Sequence, residues 1–167
     1  MIKLLRHLIC SLLLTPCLAP AQSTTLNAYQ TLDVDAEART VWSAIKDFDG
    51  LSGWHPMFSD SVLTGGENEV PGAIRRLTVK DGPSFDEELL AFQPDGMTMR
   101  YRIIGDNDLP VADYDSTIEV VSTGRNRSAV LWRGSFTAKP GNKDEDVIKF
   151  IEGAYRAGLD NLKSIVE

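Results

Sequence analysis

Few side chains in this chain of 167 residues combine reactive chemistry with an apolar setting, and Glu87 is the foremost of them. Glu87 shares strand parity with Phe85 and Leu89, so its side chain is expected to point inward. Burial penalises the charged form of a carboxylate, which would suit Glu87 to proton transfer or to binding a polar group of a ligand. The alternative is a structural ion pair with Arg75 on the neighbouring strand, and both interpretations stay open.

His55 is the second candidate, because a histidine can act as a base near neutral pH. It lies in the short segment Trp54-His55-Pro56, and we favour the alternative of a packing corner with Trp54 buried and His55 at the rim. The chain has no G-x-S-x-G elbow and no glycine-rich phosphate loop after a strand, so neither a serine hydrolase nor a nucleotide-binding protein is indicated. The catalytic residues are left unknown, with Glu87 and His55 as candidates.

Residues 1–21 have the pattern of a secretory signal peptide. Lys3 and Arg6 precede an apolar run over 8–14, and Ala19-Pro20-Ala21 offers an A-x-A cleavage site. The run is too short to cross a bilayer, since a membrane-spanning helix needs about 20 apolar residues. We therefore expect a periplasmic or secreted protein, cleaved near Ala21/Gln22, with one domain over residues 22–167 and no stable membrane anchor.

Removing that segment changes the composition of the predicted domain. Cys10 and Cys17 leave with it, so no disulfide is expected, and 15 basic against 24 acidic residues give a net charge of −9. An acidic domain without a basic run is a poor binder of nucleic acid or of anionic membranes. Zinc sites built from Cys and His are close to excluded, and the acidic runs 106–108 and 144–146 lack a calcium loop. We expect no metal and no cofactor.

Hydrophobic periodicity predicts the elements that must position these residues. Residues 26–34 alternate as a first strand, and 36–47 have helical spacing, with Asp35 as the expected N-cap. Glycine, proline and asparagine turns then separate six short strands, which is typical of an antiparallel meander. These strands are predicted over residues 61–64, 73–80, 85–93, 97–104, 114–122 and 129–138.

The last segment returns to helical spacing and closes an α+β architecture, a sheet wrapped around a long C-terminal helix with a cavity between them. Its apolar stripe comprises Ile148, Ile151, Tyr155, Leu159, Leu162 and Val166. Glu152, Arg156 and Lys163 are expected to lie outside. Gly153 and Gly158 each cost a helix roughly 1 kcal/mol relative to alanine, so we expect a close approach to the sheet or room for a ligand there.

Several stretches of the chain resemble the START-like (SRPBCC, polyketide cyclase/dehydrase-like) superfamily, in this order and spacing. They are Val41-Trp42 through Trp54-His55-Pro56, Pro71-Gly72-Ala73-Ile74-Arg75 through Asp81-Gly82, Glu87-Glu88-Leu89, and Leu109-Pro110-Val111 with Tyr114. The resemblance implies a helix-grip fold, in which a seven-stranded antiparallel sheet curls around the long C-terminal helix, with two short helices after the first strand. It also implies a pocket for an apolar ligand.

The layout is also similar to that of the plant abscisic-acid receptors in this superfamily. The resemblance implies that residues 80–84 match their gate loop and residues 108–113 their latch loop. Glu87, Tyr114 and Ser116 then fall where polar groups face the pocket. The leucine before the gate proline and the latch histidine are absent, so only the geometry carries over.

The predicted ligand-binding residues lie on the inner face of the strands and on the last helix. They are Leu77, Val79, Glu87, Leu89, Met99, Tyr101, Tyr114, Ser116, Trp132, Tyr155 and Gly158. Methionine and aromatic side chains on such a wall suit an adaptable apolar site, although each of them could instead fill the core.

Three functions fit these patterns. The first is an exported carrier or sensor of a small hydrophobic molecule, such as a lipid, a polyketide-like compound or an aromatic one. The second is a cyclase or dehydratase that uses Glu87 with Tyr101 or His55 as acid and base. The third is an accessory protein whose acidic surface docks on a periplasmic redox partner, such as a methanol-oxidising system.

Overall fold

A computed structural model of the chain describes residues 24–167, so the predicted signal peptide lies outside the described residues. The chain forms seven strands, two α-helices and a 3-10 helix. The strands are β1 (Leu26–Val34), β2 (Phe58–Gly65), β3 (Ile74–Val79), β4 (Ser84–Gln93), β5 (Thr98–Ile104), β6 (Val111–Gly124) and β7 (Arg127–Ala138). The helices are α1 (Ala38–Ile45), the 3-10 helix (Phe48–Gly53) and α2 (Asp144–Val166).

The strands form one curled antiparallel sheet in the order β1-β7-β6-β5-β4-β3-β2, and α2 packs against β1 and β7. The two strands that flank the helix pair lie at opposite edges, because α1 and the 3-10 helix carry the chain from β1 across to β2. The predicted seven-stranded helix-grip architecture is therefore confirmed.

The start of α1 differs from the prediction. The helix begins at Ala38, and Glu37 occupies the N-cap position without a side-chain hydrogen bond. Asp35 does not cap it. Its backbone N–H instead donates to Glu167 Oε1 at 2.8 Å, which ties the start of this segment to the end of α2. Val41, Trp42 and Ile45 form the predicted buried face.

The two faces of the sheet separate apolar from charged side chains. The inner face carries Met99 and Tyr101 of β5 and Ile118 of β6, all buried, as strand alternation predicts. The outer face carries ion pairs between neighbouring strands, with N–O distances of 2.7–2.8 Å. These pairs are Arg76–Asp86, Arg102–Glu88 and Arg100–Asp115. Glu87, between Asp86 and Glu88, consequently points inward.

Helix α2 lies across the inner face of the sheet and buries most of the predicted apolar stripe there. Its buried residues are Val147, Ile151, Tyr155, Gly158, Leu159 and Leu162. Ile148 and Val166 are only half-buried, because the buried row begins one position earlier, at Val147. Neither described helix has the length and apolar character needed to span a bilayer.

Candidate functional site

A small cavity lies between α2, the segment around His55 and the inner face of the sheet. Its volume is about 50 Å³ and its walls are almost entirely apolar. It is lined by Leu51, His55, Met57, Phe58, Val79, Phe85, Glu87, Tyr101, Ile103, Leu109, Tyr114, Trp132, Phe150, Ile151, Ala154 and Tyr155. Met57, Val79, Ile103 and Leu109 are half-buried and Phe150 is 38% exposed, so these five form the solvent side, or mouth, of the cavity.

The cavity occupies one end of the sheet. It lies where β3 and β5 finish, at Val79 and Ile103, and where β4 and β6 begin, near Phe85 and Tyr114. An apolar cavity of about 150 Å³ is known to hold benzene. The closed cavity of about 50 Å³ is much smaller, so an aromatic ligand can enter only if residues of the mouth move.

A network of buried hydroxyl groups lies at the floor of this cavity, which its tyrosines line and its serine does not. The hydroxyl oxygens of Tyr114 and Tyr155 are 2.7 Å apart, and Tyr155 Oη is 3.0 Å from Ser116 Oγ. Ser116 Oγ donates in turn to the backbone carbonyl of Arg133 at 3.0 Å. Burial raises the pKa of Tyr114 and of Tyr155 well above the usual value, so both phenols stay protonated.

Trp132 joins these hydroxyl groups to Tyr101. Its indole N–H donates to Tyr101 Oη at 2.9 Å and to Ser116 Oγ at 3.1 Å. The indole stacks on the Tyr155 ring, with 4.5 Å between ring centroids and 10° between planes. Burial, reinforced by the charge of Glu87, raises the pKa of Tyr101 to about 12. The floor is therefore a set of rigidly packed, neutral polar groups.

Glycine lets the helix and the sheet approach at this floor. A Cβ atom on Gly134 of β7 would overlap the hydroxyl of Tyr155. Tyr155 is 2% exposed and held by its stack on Trp132, so it cannot move aside easily. Only glycine at position 134 leaves space for the Tyr155 hydroxyl to reach Ser116.

Glu87 pairs with Arg75, the structural alternative that the sequence left open. Glu87 Oε2 accepts from Arg75 Nε at 2.9 Å and from Nη2 at 2.6 Å, and both side chains are almost fully buried. The guanidinium also donates to the carbonyl of Phe48 and lies 4.1 Å from the Phe48 ring centroid. Burial raises the pKa of Glu87, while the charge of Arg75 opposes that shift. Glu87 also lines the cavity.

His55 is buried, with an exposed fraction of 2%, so the predicted position at a rim is wrong. Its Nε2 lies 3.0 Å from the Ala154 carbonyl, which can only accept, and its Nδ1 accepts from the N–H of Met57 at 3.2 Å. The proton is thus on Nε2 in the neutral ring. Burial lowers the pKa of His55 to about 4, which makes it an unsuitable base at neutral pH.

Six of the predicted ligand-binding residues line the cavity. They are Val79, Glu87, Tyr101, Tyr114, Trp132 and Tyr155. The sequence carried a signal for some of the other lining residues and none for the rest. Phe85 and Ile103 share strand parity with predicted positions, and Ile151 belongs to the predicted helix stripe. Met57 and Leu109 lie in loops, and no periodicity reports where a loop residue points.

The other five predicted residues do not line the cavity. They are Leu77, Leu89, Met99, Ser116 and Gly158. Leu77 and Leu89 are fully buried in the core, and Met99 borders a separate space of about 10 Å³. Ser116 is engaged by Tyr155 and Trp132. Strand parity identifies the inner face, whereas the cavity occupies only one end of it.

Gly158 has a packing role instead of a ligand-binding one. A Cβ atom at this position would lie 2.5 Å from His55 Cδ2 and 3.0 Å from Trp132 Cζ3. The absence of a side chain therefore lets α2 sit directly on the His55 ring. Gly153 makes no such approach, because a Cβ there would meet nothing within 4 Å. A close approach thus explains Gly158 but not Gly153.

The chain matches a known family over almost all of its described length. The model of the family described as polyketide cyclase / dehydrase and lipid transport matches residues 25–167. The structure of the protein XoxI from Bacillus cereus is 31% identical, with a TM-score of 0.76, over 84% of this chain and 94% of that one.

More distant structures share the fold. The Zhui aromatase/cyclase from Streptomyces sp. R1128 is 14% identical, with a TM-score of 0.71, over 86% of this chain and 94% of that one. A START superfamily protein from Mycobacterium smegmatis is 17% identical, with a TM-score of 0.72, over 84% of this chain and 96% of that one. At these identities the likeness concerns architecture alone.

Proposed function

Because this chain belongs to the polyketide cyclase / dehydrase and lipid transport family, we propose that it binds a small, largely apolar molecule in the cavity beneath α2. The observation that carries the proposal is the small apolar cavity at the end of the sheet, with a mouth of partly exposed apolar side chains. Ligand sites are commonly apolar cavities with a few convergent polar groups. Here those groups are Glu87, Tyr101, Tyr114 and Tyr155.

Binding requires the mouth to open, and its composition supports that step. Phe150 and Leu109 contribute apolar side chains from α2 and from the loop between β5 and β6, and both are partly exposed. Moving these two side chains breaks fewer buried contacts than moving the side chains of the floor would. Burying about 200 Å² of apolar ligand surface contributes on the order of 5 kcal/mol before association costs, at roughly 25 cal/mol per Å².

A binding role is favoured over the cyclase alternative. His55 has both ring nitrogens engaged and a pKa lowered to about 4 by burial. Glu87 is the counterion of Arg75. The two candidate acid–base groups are thus committed to structural partners, whereas the apolar lining remains available to a ligand.

The proposal is tested by filling the cavity from α2. Ala154 lines the cavity, and Ala157 lies on the same helix away from it. Calorimetric titration with toluene should show binding to the wild type and to Ala157→Leu. Ala154→Leu should weaken toluene binding at least tenfold, because its side chain occupies the ligand's space. Its melting curve should show that the protein is folded.

Two results would count against this function. The first is the absence of toluene binding by the wild type at millimolar concentrations. The second is equal affinity in folded Ala154→Leu and Ala157→Leu, which would place the ligand elsewhere. Either result would contradict a ligand site beneath α2.

Export is part of the same proposal. Its support is the basic start, apolar run and A-x-A site within residues 1–21, together with a first strand that begins only at Leu26. Cleavage near Gln22 would consequently leave every described strand and helix intact. Intact-mass analysis of the chain purified from a native cell envelope should give a mass that begins near Gln22. A full-length mass would contradict cleavage.

A further inference from the structure

The hydrogen bonds in the cavity floor have a fixed direction. The Arg133 carbonyl can only accept, so the proton of Ser116 Oγ is committed to it. Ser116 must therefore accept from the Tyr155 hydroxyl, and Tyr155 in turn accepts from the Tyr114 hydroxyl. Each of these three protons has an acceptor.

Tyr101 differs from the other phenols of the floor. The Trp132 indole nitrogen can only donate, so Tyr101 Oη is the acceptor in that bond. The proton on Tyr101 Oη then has no acceptor among residues 24–167. Ser116 Oγ cannot take it, since Tyr155 and Trp132 already occupy both of its lone pairs. Burial raises the pKa of Tyr101 to about 12, so this hydroxyl keeps its proton near neutral pH.

Glu87 supplies the complementary group. Both hydrogen bonds from Arg75 end on Oε2, and Oε1 accepts from no residue within the described range 24–167. Glu87 and Tyr101 lie on adjacent strands, where Glu87 pairs with Ile103 and Leu89 with Tyr101, so the two are diagonal neighbours on the inner face. Both line the cavity. Two residues that carry an unused donor and an unused acceptor thus line one apolar space.

We propose that Glu87 and Tyr101 make the cavity selective for a neutral hydroxyl-bearing molecule, an alcohol or a phenol. The Tyr101 hydroxyl donates to the ligand oxygen, and the ligand hydroxyl donates to Glu87 Oε1. A hydroxyl provides a donor proton and acceptor lone pairs on one oxygen atom, so it can pair with both groups at once. A hydrocarbon leaves both protein groups unpaired, and a carboxylate brings a second negative charge to Glu87. This inference rests on the proposed function.

Pairs of isosteric probes separate the two hydrogen bonds. Phenol and toluene differ in the hydroxyl, while anisole and ethylbenzene differ only in an oxygen that accepts but cannot donate. Calorimetric titration at neutral pH should give phenol a roughly 3- to 10-fold advantage over toluene. Anisole should gain less over ethylbenzene, because it satisfies Tyr101 but not Glu87. The ligand is varied because a Glu87 substitution would leave Arg75 as an unpaired buried charge.

A matched pair of variants tests the contribution of Tyr101. Tyr101→Phe removes the hydroxyl that lacks an acceptor, and Trp132 keeps Ser116 as its other acceptor at 3.1 Å. Tyr29→Phe makes the same change at a residue that is 50% exposed and does not line the cavity. Tyr101→Phe should lose the advantage of anisole over ethylbenzene, a ratio that is measured within one variant and so does not depend on that variant's absolute affinity for hydrocarbons. Tyr29→Phe should retain that advantage.

The outcomes distinguish this inference from the function on which it rests. Equal affinity of the wild type for phenol and toluene, or an undiminished anisole advantage in Tyr101→Phe, would overturn the selectivity while apolar binding stands. Binding of none of the four probes would overturn both. A preference for benzoate over phenol would contradict the role given to Glu87.

Discussion

Arg75 determines what Glu87 can do in this protein. Its guanidinium donates to Glu87 and to the Phe48 carbonyl, and it lies against the rings of Phe48 and Tyr101. Breaking a buried ion pair by removing one partner typically costs about 3–5 kcal/mol, a large fraction of the roughly 5–15 kcal/mol by which domains are stable. Arg75 therefore occupies one carboxylate oxygen of Glu87 and leaves the second oxygen to a ligand.

His55 links pH to stability. Its pKa is about 4 in the folded protein against 6.5 for an ordinary histidine, because burial disfavours the charged ring. Between these values the unfolded chain binds a proton that the folded chain does not, so the free energy of unfolding falls as pH falls. The free energy of unfolding falls by at most about 1.4 kcal/mol per pH unit, and by on the order of 3 kcal/mol between the unfolded and the folded pKa of His55.

The His55→Gln variant should separate this effect from the titration of the many carboxylates. Urea unfolding at pH 7 and at pH 4.5 should show a smaller loss of stability in His55→Gln than in the wild type. The comparison uses the difference between the two pH values, so a lower absolute stability of the variant does not affect it. Equal losses in both proteins would contradict a neutral, buried His55.

Two glycines on different elements set the distance between α2 and its surroundings. Gly134 of β7 makes space for the Tyr155 hydroxyl, and Gly158 of α2 makes space for the His55 ring. The hydrogen bond from His55 to the Ala154 carbonyl reinforces the second contact. The helix is thereby fixed against both the sheet and the turn before β2, which leaves the cavity small when it is closed.

Alanine substitutions at the two glycines of α2 should have opposite effects. Gly158→Ala places a methyl group 2.5 Å from the buried His55 ring, and such overpacking typically costs about 1–3 kcal/mol. Gly153→Ala, in the same helix with open space around it, should stabilise the protein by up to about 1 kcal/mol through helix propensity. Urea unfolding of both variants gives the comparison. Stabilisation by Gly158→Ala would contradict the close approach.

The elements were more predictable from the sequence than the cavity was. The bounds of β1 match the prediction, because its alternation and flanking signals are local. β2 begins at Phe58 instead of residue 61, since Ser59 and Asp60 carry no apolar alternation. The burial of His55 depends on Ala154, which is 99 positions away, so no local pattern could report it.

At the scale of the whole molecule, the fixed parts and the parts able to move lie on opposite sides of the cavity. The hydroxyl network and the stacked Trp132 of the floor are buried, and so is the Arg75–Glu87 pair. The mouth combines Phe150 of α2 with half-buried apolar residues from two loops and from the ends of β3 and β5. A ligand should consequently enter past the mouth and meet a floor whose polar groups are already positioned.

Locating bound phenol by isotope-filtered nuclear Overhauser measurements tests the central claim most directly. The protein carries labelled methyl groups, and the ligand ring protons are observed. We predict contacts from phenol to the methyl groups of Ile151, Ala154 and Val79, which line the cavity. Contacts confined to Val62 and Val121, exposed valines that do not line it, would contradict the claim that this fold binds its ligand between the sheet and α2.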